Sequence, residues 1–251
     1  MQVVVMQPTY LPWCGYFDLW DQADAFVFLD HVQLVKRSWD VRNKVRTAEG
    51  FCFLTVPLVR STHRSDLTFI NSVPDYSQEW NAKHWKTIEM AYGKCPYFDE
   101  IAQSLFEVIG GQASTLAELN IEIIKALAST LGIFSGKKIY RSSELLPLHG
   151  GKDVLLCSIC EKVGATRYLS PLGSMDYINL NSVGGEFQKK GLPLLYQNFS
   201  HPEYTQRYSP FVSHMSVIDI IANLGREEAL TQIRFSREKP FPFDFVRPQL
   251  S

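Results

Sequence analysis

Polar and aromatic side chains are concentrated in the first loop of the chain, directly after the apolar run at residues 3–6. The loop reads Gln7-Pro-Thr-Tyr10-Leu-Pro-Trp13-Cys-Gly15-Tyr. A glycine at a helix start lets the backbone approach a ligand, and a helix N-terminus favours a phosphate or carboxylate. The loop lacks the spaced glycines of a dinucleotide site and the Gly-Lys-Ser/Thr of a P-loop. We expect it to bind a substrate through Gln7, Tyr10, Trp13 and Gly15. The alternative is that its aromatic side chains only cover the end of a sheet.

A carboxylate and an imidazole follow the second apolar run, which starts at residue 25. This segment reads Asp30-His31-Val32-Gln33. An aspartate in this position can hold a ribose hydroxyl or accept a proton from an amine, and histidine titrates near neutral pH. We therefore predict Asp30 and His31 as catalytic residues, one or the other accepting the proton of an attacking amine, and Gln33 as a substrate contact. A histidine with a purely structural role is the alternative.

Five cations lie within eleven positions, with Trp39 and Asn43 among them: Lys36, Arg37, Arg42, Lys44 and Arg46. A solvated surface is the ordinary explanation of such a run. The run follows the second strand closely, however, and arginine can grip phosphate with two parallel hydrogen bonds. We expect a basic loop that holds an anion through Arg37, Arg42, Asn43 and Lys44.

A second group of candidates follows the apolar run at residues 167–170. Ser170, Gly173 and Tyr177 are expected to line the same end of the sheet. Gln197, with His201 and Tyr204 just beyond it, is placed to do so as well. Cys157 and Cys160 have the spacing of metal ligands, but they stand alone inside a helical pattern, and a zinc site needs further ligands. We predict that they pack in the core and that no metal is bound.

Strands and helices alternate along the chain, and this order must bring those residues together. Apolar runs at residues 3–6, 25–29, 51–56, 167–170 and 194–197 are typical of strands, and residues 79–131 carry helical spacing. This pattern predicts an α/β fold with a doubly wound, mostly parallel, Rossmann-like sheet. We expect one domain over residues 1–251, with residues 79–131 as a helical insertion. The ligand should bind at the carboxyl ends of the strands.

Composition narrows the class of protein. The 251 residues are 45% hydrophobic and 20% charged, which suits a globular protein with a substantial core. The net charge of −1 disfavours nucleic acid as a partner. No apolar run is long enough to span a bilayer, and no signal peptide is recognisable. The five cysteines form no disulfide framework. We expect a cytoplasmic protein without membrane contact.

The residues also resemble those of a known family. The motifs that carry the resemblance are Gln7-Pro-x-Tyr-Leu-Pro-Trp-x-Gly-Tyr-Phe17, Phe26-Val-x-Leu-Asp30-x-Val-Gln33, Arg37-Ser-Trp, Arg42-Asn43, Pro96-Tyr-Phe98, Tyr168-Leu-Ser170 and Asp219-Ile-Ile-Ala-Asn223. The chain is similar over nearly its whole length to the WbqC-like family, whose members occur in bacteria, several of them in surface-polysaccharide gene clusters. The resemblance implies amino-acyl or acyl transfer to an amino sugar.

The opening of the chain also resembles nucleotidyltransferases whose first loop carries His-x-Gly-His. Here Trp13-Cys-Gly15-Tyr16 stands in that place, so the glycine is kept and both histidines are missing. In that class the histidines steady the phosphates during nucleotidyl transfer. The resemblance implies a nucleotidyltransferase-like fold, in which the sheet end has a different use.

Three functions remain open from the sequence. The first is a transferase that forms an amide or ester on a phosphorylated or nucleotide-linked small molecule. The second is a nucleotidyltransferase in which the basic loop replaces the missing histidines. The third is a non-catalytic binding or scaffold subunit of a biosynthetic complex. The sequence indicates no particular cofactor.

Overall fold

The computed structural model describes residues 1–34, 38–59 and 68–246. Its strands are β1 (Gln2–Met6), β2 (Ala25–Phe28), β3 (Arg42–Thr47), β4 (Gly50–Thr55), β5 (Lys138–Arg141), β6 (Arg167–Ser170), β7 (Leu194–Tyr196) and β8 (Phe241–Pro242). Its α-helices are α1 (Cys14–Gln22), α2 (Trp80–Tyr92), α3 (Phe98–Gly110), α4 (Leu116–Thr130), α5 (Lys152–Val163), α6 (Met175–Ile178), α7 (Gly185–Lys189), α8 (Val217–Leu224) and α9 (Arg226–Phe235).

Six strands form the main sheet, in the spatial order β5-β2-β1-β6-β7-β8. The first five pair in parallel, and the two-residue β8 is antiparallel to β7. The chain order of the parallel strands therefore reverses between β1 and β6. In open α/β sheets, ligands bind in the crevice at the carboxyl ends of the strands at such a reversal. The predicted α/β, doubly wound, mostly parallel sheet is confirmed.

Both faces of the sheet are covered by helices, as buried parallel strands require. Alternate side chains of β1 and β2 point to opposite faces: Val4 and Phe26 pack with α1, α4 and α8, and Val3 and Val27 pack with α5 and α7. Cys157 and Cys160 are buried in the second of these cores. The three helices α2, α3 and α4 fill the predicted helical region at residues 79–131. That this region is an insertion within one domain stays a prediction.

The basic segment is a strand where the sequence predicted a loop. β3 pairs antiparallel with β4 in a separate two-stranded sheet, with Arg42 opposite Thr55 and Thr47 opposite Gly50. Asn43 and Val45 point inward and are buried, while Arg42 and Lys44 lie on the other face. The sequence did not show the alternation of buried and exposed residues that is typical of a strand, because the inward residue Asn43 is polar and the outward residues are cations. The segment at residues 51–56, predicted as a strand, is thus half of a hairpin outside the main sheet.

Two elements near the C-terminus were not predicted. Helix α9 follows α8 after Gly225, and only Ala229 and Ile233 of its ten residues are buried. With only two buried residues, the helix shows little hydrophobic periodicity in the sequence. The short β8 extends the sheet beyond β7, which the sequence indicated as its last strand.

Candidate functional site

The carboxyl ends of three neighbouring strands bring together three predicted site residues. β2, β1 and β6 lie side by side and end at Phe28, Met6 and Ser170. Asp30 and Gln7 follow at the same edge as Ser170, as the sequence predicted. The chain reversal lies between β1 and β6, so Gln7 and Ser170 flank the crevice.

Asp30 is fully buried, and its carboxylate is already satisfied. Oδ2 accepts from Arg141 Nε at 2.7 Å and from the Ser143 hydroxyl at 2.8 Å. Oδ1 accepts from the Ser142 hydroxyl at 3.0 Å and the Ser143 N–H at 2.9 Å. These bonds tie the end of β2 to the end of β5. The geometry gives Asp30 a positioning role, and its catalytic role stays a prediction.

His31 lies beside this network. Its Nδ1 is 2.6 Å from the Ser142 hydroxyl oxygen, which also contacts Asp30. Partial burial lowers the pKa of His31, although the Asp30 carboxylate acts in the opposite direction. The imidazole is therefore mostly neutral at pH 7. A role in proton transfer stays a prediction for His31.

Of the site residues predicted in the first loop, some are buried in the core and others lie at the edge of the sheet. The Tyr10 side chain is buried against α2, where its hydroxyl lies 2.9 Å from His84 Nδ1. Asn43 is also buried, and its side-chain amide donates to the carbonyls of Tyr10 at 3.2 Å and Leu11 at 2.7 Å. Both residues shape the loop from behind. Their predicted contact with a substrate stays a prediction.

Trp13 precedes α1 and forms the centre of an aromatic cluster at the sheet edge. Its ring stacks on His214 with 5.2 Å between centroids and on His201 with 6.0 Å, and it meets Phe199 edge-on at 5.6 Å. The three partners come from the segment that follows β7. This cluster, hereafter the Trp13 cluster, therefore lies where the first turn of α1 meets the chain leaving the carboxyl end of the sheet.

His201 has the most distinctive chemistry in the Trp13 cluster. Its Nδ1 lies 2.8 Å from the Pro202 carbonyl oxygen, which can only accept, so Nδ1 carries the proton and Nε2 is an acceptor. Nε2 is buried and has no hydrogen-bond partner among the described residues. Burial lowers the pKa of His201 to about 4, and the charge of Lys44 contributes to that shift. His201 thus has a neutral, oriented imidazole whose Nε2 acceptor has no partner among the described residues.

Two helix N-termini and the charge of Lys44 lie near the same cluster. The N-termini of α1 and α8 meet through the pairing of Trp13 with Ser216, and the Ser216 N–H donates to the Lys44 carbonyl at 3.0 Å. The Ser216 hydroxyl is fully buried and has no partner within the described ranges. Burial lowers the pKa of Lys44 from its ordinary value of 10.5. Two helix N-termini beside a lysine favour an anion.

The other predicted cations differ in their surroundings. Arg42 lies on the outward face of β3, and its Nε is buried without a partner among the described residues. Arg46 is buried and donates to backbone carbonyls of Gly50, Tyr208 and Pro210, so its role is structural. Arg37 lies outside the described residues. Of the residues predicted to hold an anion, the structure therefore describes two cations, Lys44 and Arg42, and their binding of an anion stays a prediction.

The remaining predicted contacts lie at the rim or are used internally. The Ser170 hydroxyl is buried and shares a 2.5 Å hydrogen bond with Ser174. Gly173 and Tyr177 are exposed in the turn and short helix that follow β6. Gln33 is exposed and pairs with Thr68 across an isolated bridge.

Sequence reasoning missed Phe199, His214 and Ser216. Their segment, between β7 and α8, is irregular, and irregular segments show no periodicity. The only signal was position, since the segment follows a strand end; that signal had pointed to Gln197 and His201. Gln197 supports the first turn of α1, where its amide donates to the Gly15 carbonyl at 2.8 Å.

Across the described ranges, no group of three or more His, Cys, Asp or Glu side chains is placed to hold a metal ion. Nor does any helix in those ranges have the length and apolarity needed to cross a membrane.

Comparison with known proteins places this architecture in a family. The WbqC-like protein family model matches residues 7–231. A relative in Mycobacterium tuberculosis, named uncharacterized protein Rv1507c, is 29% identical over 239 residues, which cover 94% of this chain and 99% of the relative. No solved structure matches the chain. Because the family model spans the first loop, the sheet edge and α8, the chain belongs to the WbqC-like protein family.

Proposed function

We propose that this protein is a transferase that binds a phosphorylated or nucleotide-linked small molecule at the crevice between β1 and β6. It forms an amide by moving an acyl or amino-acyl group to the amine of an amino sugar, in bacterial glycan biosynthesis. The observation that carries the proposal is the state of His201. Its imidazole is neutral and oriented, and its Nε2 acceptor has no partner among the described residues and lies near Lys44, which would bind the anion. A buried acceptor without a partner is costly, and a substrate N–H would satisfy it.

The proposed reaction uses His201 as the proton acceptor. The amine nitrogen attacks the acyl carbonyl carbon, the new C–N bond forms, and the amine proton passes to Nε2. The bond to the leaving group then breaks, and the leaving group takes the proton from Nε2. The Pro202 carbonyl holds the tautomer throughout. A bound phosphate offsets the charge of Lys44 and so raises the pKa of His201 toward the range in which it is an effective base.

Lys44 and the N-termini of α1 and α8 hold the anionic part of the substrate. The Lys44 carbonyl contacts the start of α8, and the Lys44 charge acts on both His201 and His214. Among the described residues, Lys44 is the only cation that meets both conditions. The Ser216 hydroxyl adds an unused donor at the same place. In this arrangement Asp30 and His31 lie at the end of β2, next to β1, and hold the edge of the sheet in place.

The experiment separates binding from chemistry. UDP-glucosamine, which carries a free amine, is titrated into wild type, Lys44→Ala and His201→Gln, and acyl transfer from acetyl- and aminoacyl-thioester donors is followed by mass spectrometry. Lys44→Ala should weaken binding about tenfold or more, because a charge-assisted hydrogen bond is lost. His201→Gln should bind as wild type does and lose product formation by about a hundredfold.

His149→Gln is the matched control, because it removes an exposed histidine outside the site. It should leave both binding and turnover unchanged. If wild type binds neither UDP-glucosamine nor a simple nucleotide at millimolar concentration, the transferase is excluded and the scaffold function replaces it.

Nucleotidyl transfer is a second candidate because of one observation. The two motif histidines are absent at Trp13 and Tyr16, yet His201 and His214 bring two imidazoles to the same helix N-terminus from another segment. Two imidazoles there would steady a triphosphate. Release of pyrophosphate from ATP or CTP in the presence of a sugar phosphate, lost in His214→Ala, would favour this candidate over acyl transfer.

A further inference from the structure

Three large aromatic side chains that the core does not use lie on the outward surface of the β3–β4 hairpin and just before it in the chain. Trp39, Phe51 and Phe53 are 51%, 47% and 43% exposed. Together with Arg42 and Lys44 they form what we call the hairpin face. Clustered exposed rings mark interaction sites more often than single ones do.

The rings and cations of the hairpin face are ordered against one another. Phe51 meets Phe53 edge-on with 5.7 Å between centroids, and Trp39 lies 6.2 Å from Phe53. The Arg42 guanidinium carbon stands 4.5 Å from the Phe53 centroid, and Lys44 Nζ stands 5.1 Å from that of Phe51. Each cation is thus held beside a ring by cation–π contact, with both kinds of group open on one surface.

The charge on this face is not neutralised within the described chain. Neither Arg42 nor Lys44 forms an ion pair with a described residue, and Arg42 Nε is buried without a partner there. A ligand that complements the face therefore has negative charge and at least one flat ring. A nucleotide has both, and base stacking on aromatic side chains is a common mode of nucleotide recognition.

The hairpin face is continuous with the proposed reaction site. Lys44 belongs to both, since its ammonium lies by Phe51 while its carbonyl accepts the Ser216 N–H at the start of α8. Its charge also reaches His201 and His214. A ligand gripped by Lys44 through its phosphates can therefore extend one end over the rings and the other toward His201.

We propose that the hairpin face binds the nucleoside diphosphate part of a nucleotide-linked substrate. The base stacks on one of the two perpendicular rings, Phe51 or Phe53, and meets the other edge-on. The diphosphate lies between Arg42 and Lys44, and the sugar extends toward the Trp13 cluster. This inference rests on the proposed function and narrows its substrate from phosphorylated small molecules in general to nucleotide-linked ones.

The test compares ligands with and without a base. UDP, CDP, ADP and inorganic pyrophosphate are titrated calorimetrically into wild type, Phe51→Leu, Phe53→Leu and Lys44→Ala. At least one nucleotide should bind wild type about tenfold or more tightly than pyrophosphate, since stacking contributes on that order. Both leucine variants should lose most of that preference while keeping wild-type affinity for pyrophosphate. Lys44→Ala should weaken all four ligands.

Phe106→Leu is the matched control, because Phe106 is a similarly exposed phenylalanine on α3 and contacts Trp85 instead. It should bind every ligand as wild type does. Equal affinity for pyrophosphate and all nucleotides overturns the inference and leaves the proposed function standing. No binding of any of the four overturns both. A short oligothymidylate that binds more tightly than every nucleotide, with loss in the leucine variants, overturns the inference in favour of single-stranded nucleic acid.

Discussion

The indole of Trp13 lies so close to Gly15 that a Cβ at Gly15 would stand 2.3 Å from the ring. The ring cannot retreat easily, because His201, His214 and Phe199 pack against it. Glycine is therefore required at this position by its own loop neighbour, two residues earlier. The Trp13 ring thus packs directly against the first turn of α1.

Gly15→Ala should accordingly displace Trp13 and disturb its cluster. We expect the free energy of unfolding to fall by about 1–3 kcal/mol, the usual cost of overpacking, and the tryptophan fluorescence to change. Thermal and urea unfolding measure the first effect. Gly110→Ala is the control, because a Cβ there meets nothing within 4 Å and alanine favours the helix. Equal stabilities of Gly15→Ala and wild type would contradict the close packing.

Asp30→Ala should show whether the buried carboxylate is an anchor. Its removal leaves Arg141 and two serines without their acceptor at the end of β5, so we expect a loss of about 3 kcal/mol. Glu122→Ala breaks the exposed pair with Lys125 and should cost less than about 1 kcal/mol. Urea unfolding compares the two. If Asp30→Ala unfolds like wild type yet abolishes turnover, the catalytic role predicted from the sequence is the correct one.

The sheet and its edge could be predicted because they depend on local signals. The run at residues 3–6 is apolar on both faces, as a buried parallel strand must be, and Gln7 marks its end. Parallel strands that end together then place Gln7, Asp30 and Ser170 at one edge. These inferences need only the burial and the direction of each strand. The residue types indicate the burial, and the order of strands and helices along the chain indicates the direction.

The division of the site residues could not be predicted, because spacing does not say which way a loop side chain turns. Tyr10 and Trp13 are both aromatic residues of one loop, yet one packs on α2 and the other on His201. Arg46 belongs to the same cationic run as Lys44, but its guanidinium donates to the carbonyls of Gly50, Tyr208 and Pro210, and the last two are far away in sequence. Such outcomes are set by tertiary partners.

Asn43→Ala should separate the support of the first loop from ligand contact. The buried amide donates to the Tyr10 and Leu11 carbonyls, so its loss leaves buried acceptors unpaired and should cost about 1–3 kcal/mol. Asn181→Ala, at an exposed position, should be close to neutral. If Asn43→Ala retains full stability but loses nucleotide affinity, Asn43 contacts the ligand as the sequence suggested.

The pH dependence of stability should reveal two buried imidazoles. Burial lowers the pKa of both His84 and His201 to about 4, from an ordinary value of 6.5. Between these values the unfolded chain binds protons that the folded chain does not. The free energy of unfolding therefore falls as pH falls from about 6.5 to about 4, by about 1–3 kcal/mol for each histidine.

His84→Gln and His201→Gln should each reduce that fall, and the double variant should reduce it by about the sum, because the two rings share no contact and distant sites are additive. Urea unfolding at intervals across the window measures the profile of each protein. Buried carboxylates such as Asp219, whose pKa burial raises, act in the opposite direction, but they are common to all four proteins and cancel in the differences. Parallel profiles for wild type and His201→Gln would mean that His201 is as basic in the folded protein as in the unfolded chain, and the neutral, oriented imidazole on which the proposed chemistry depends would be lost.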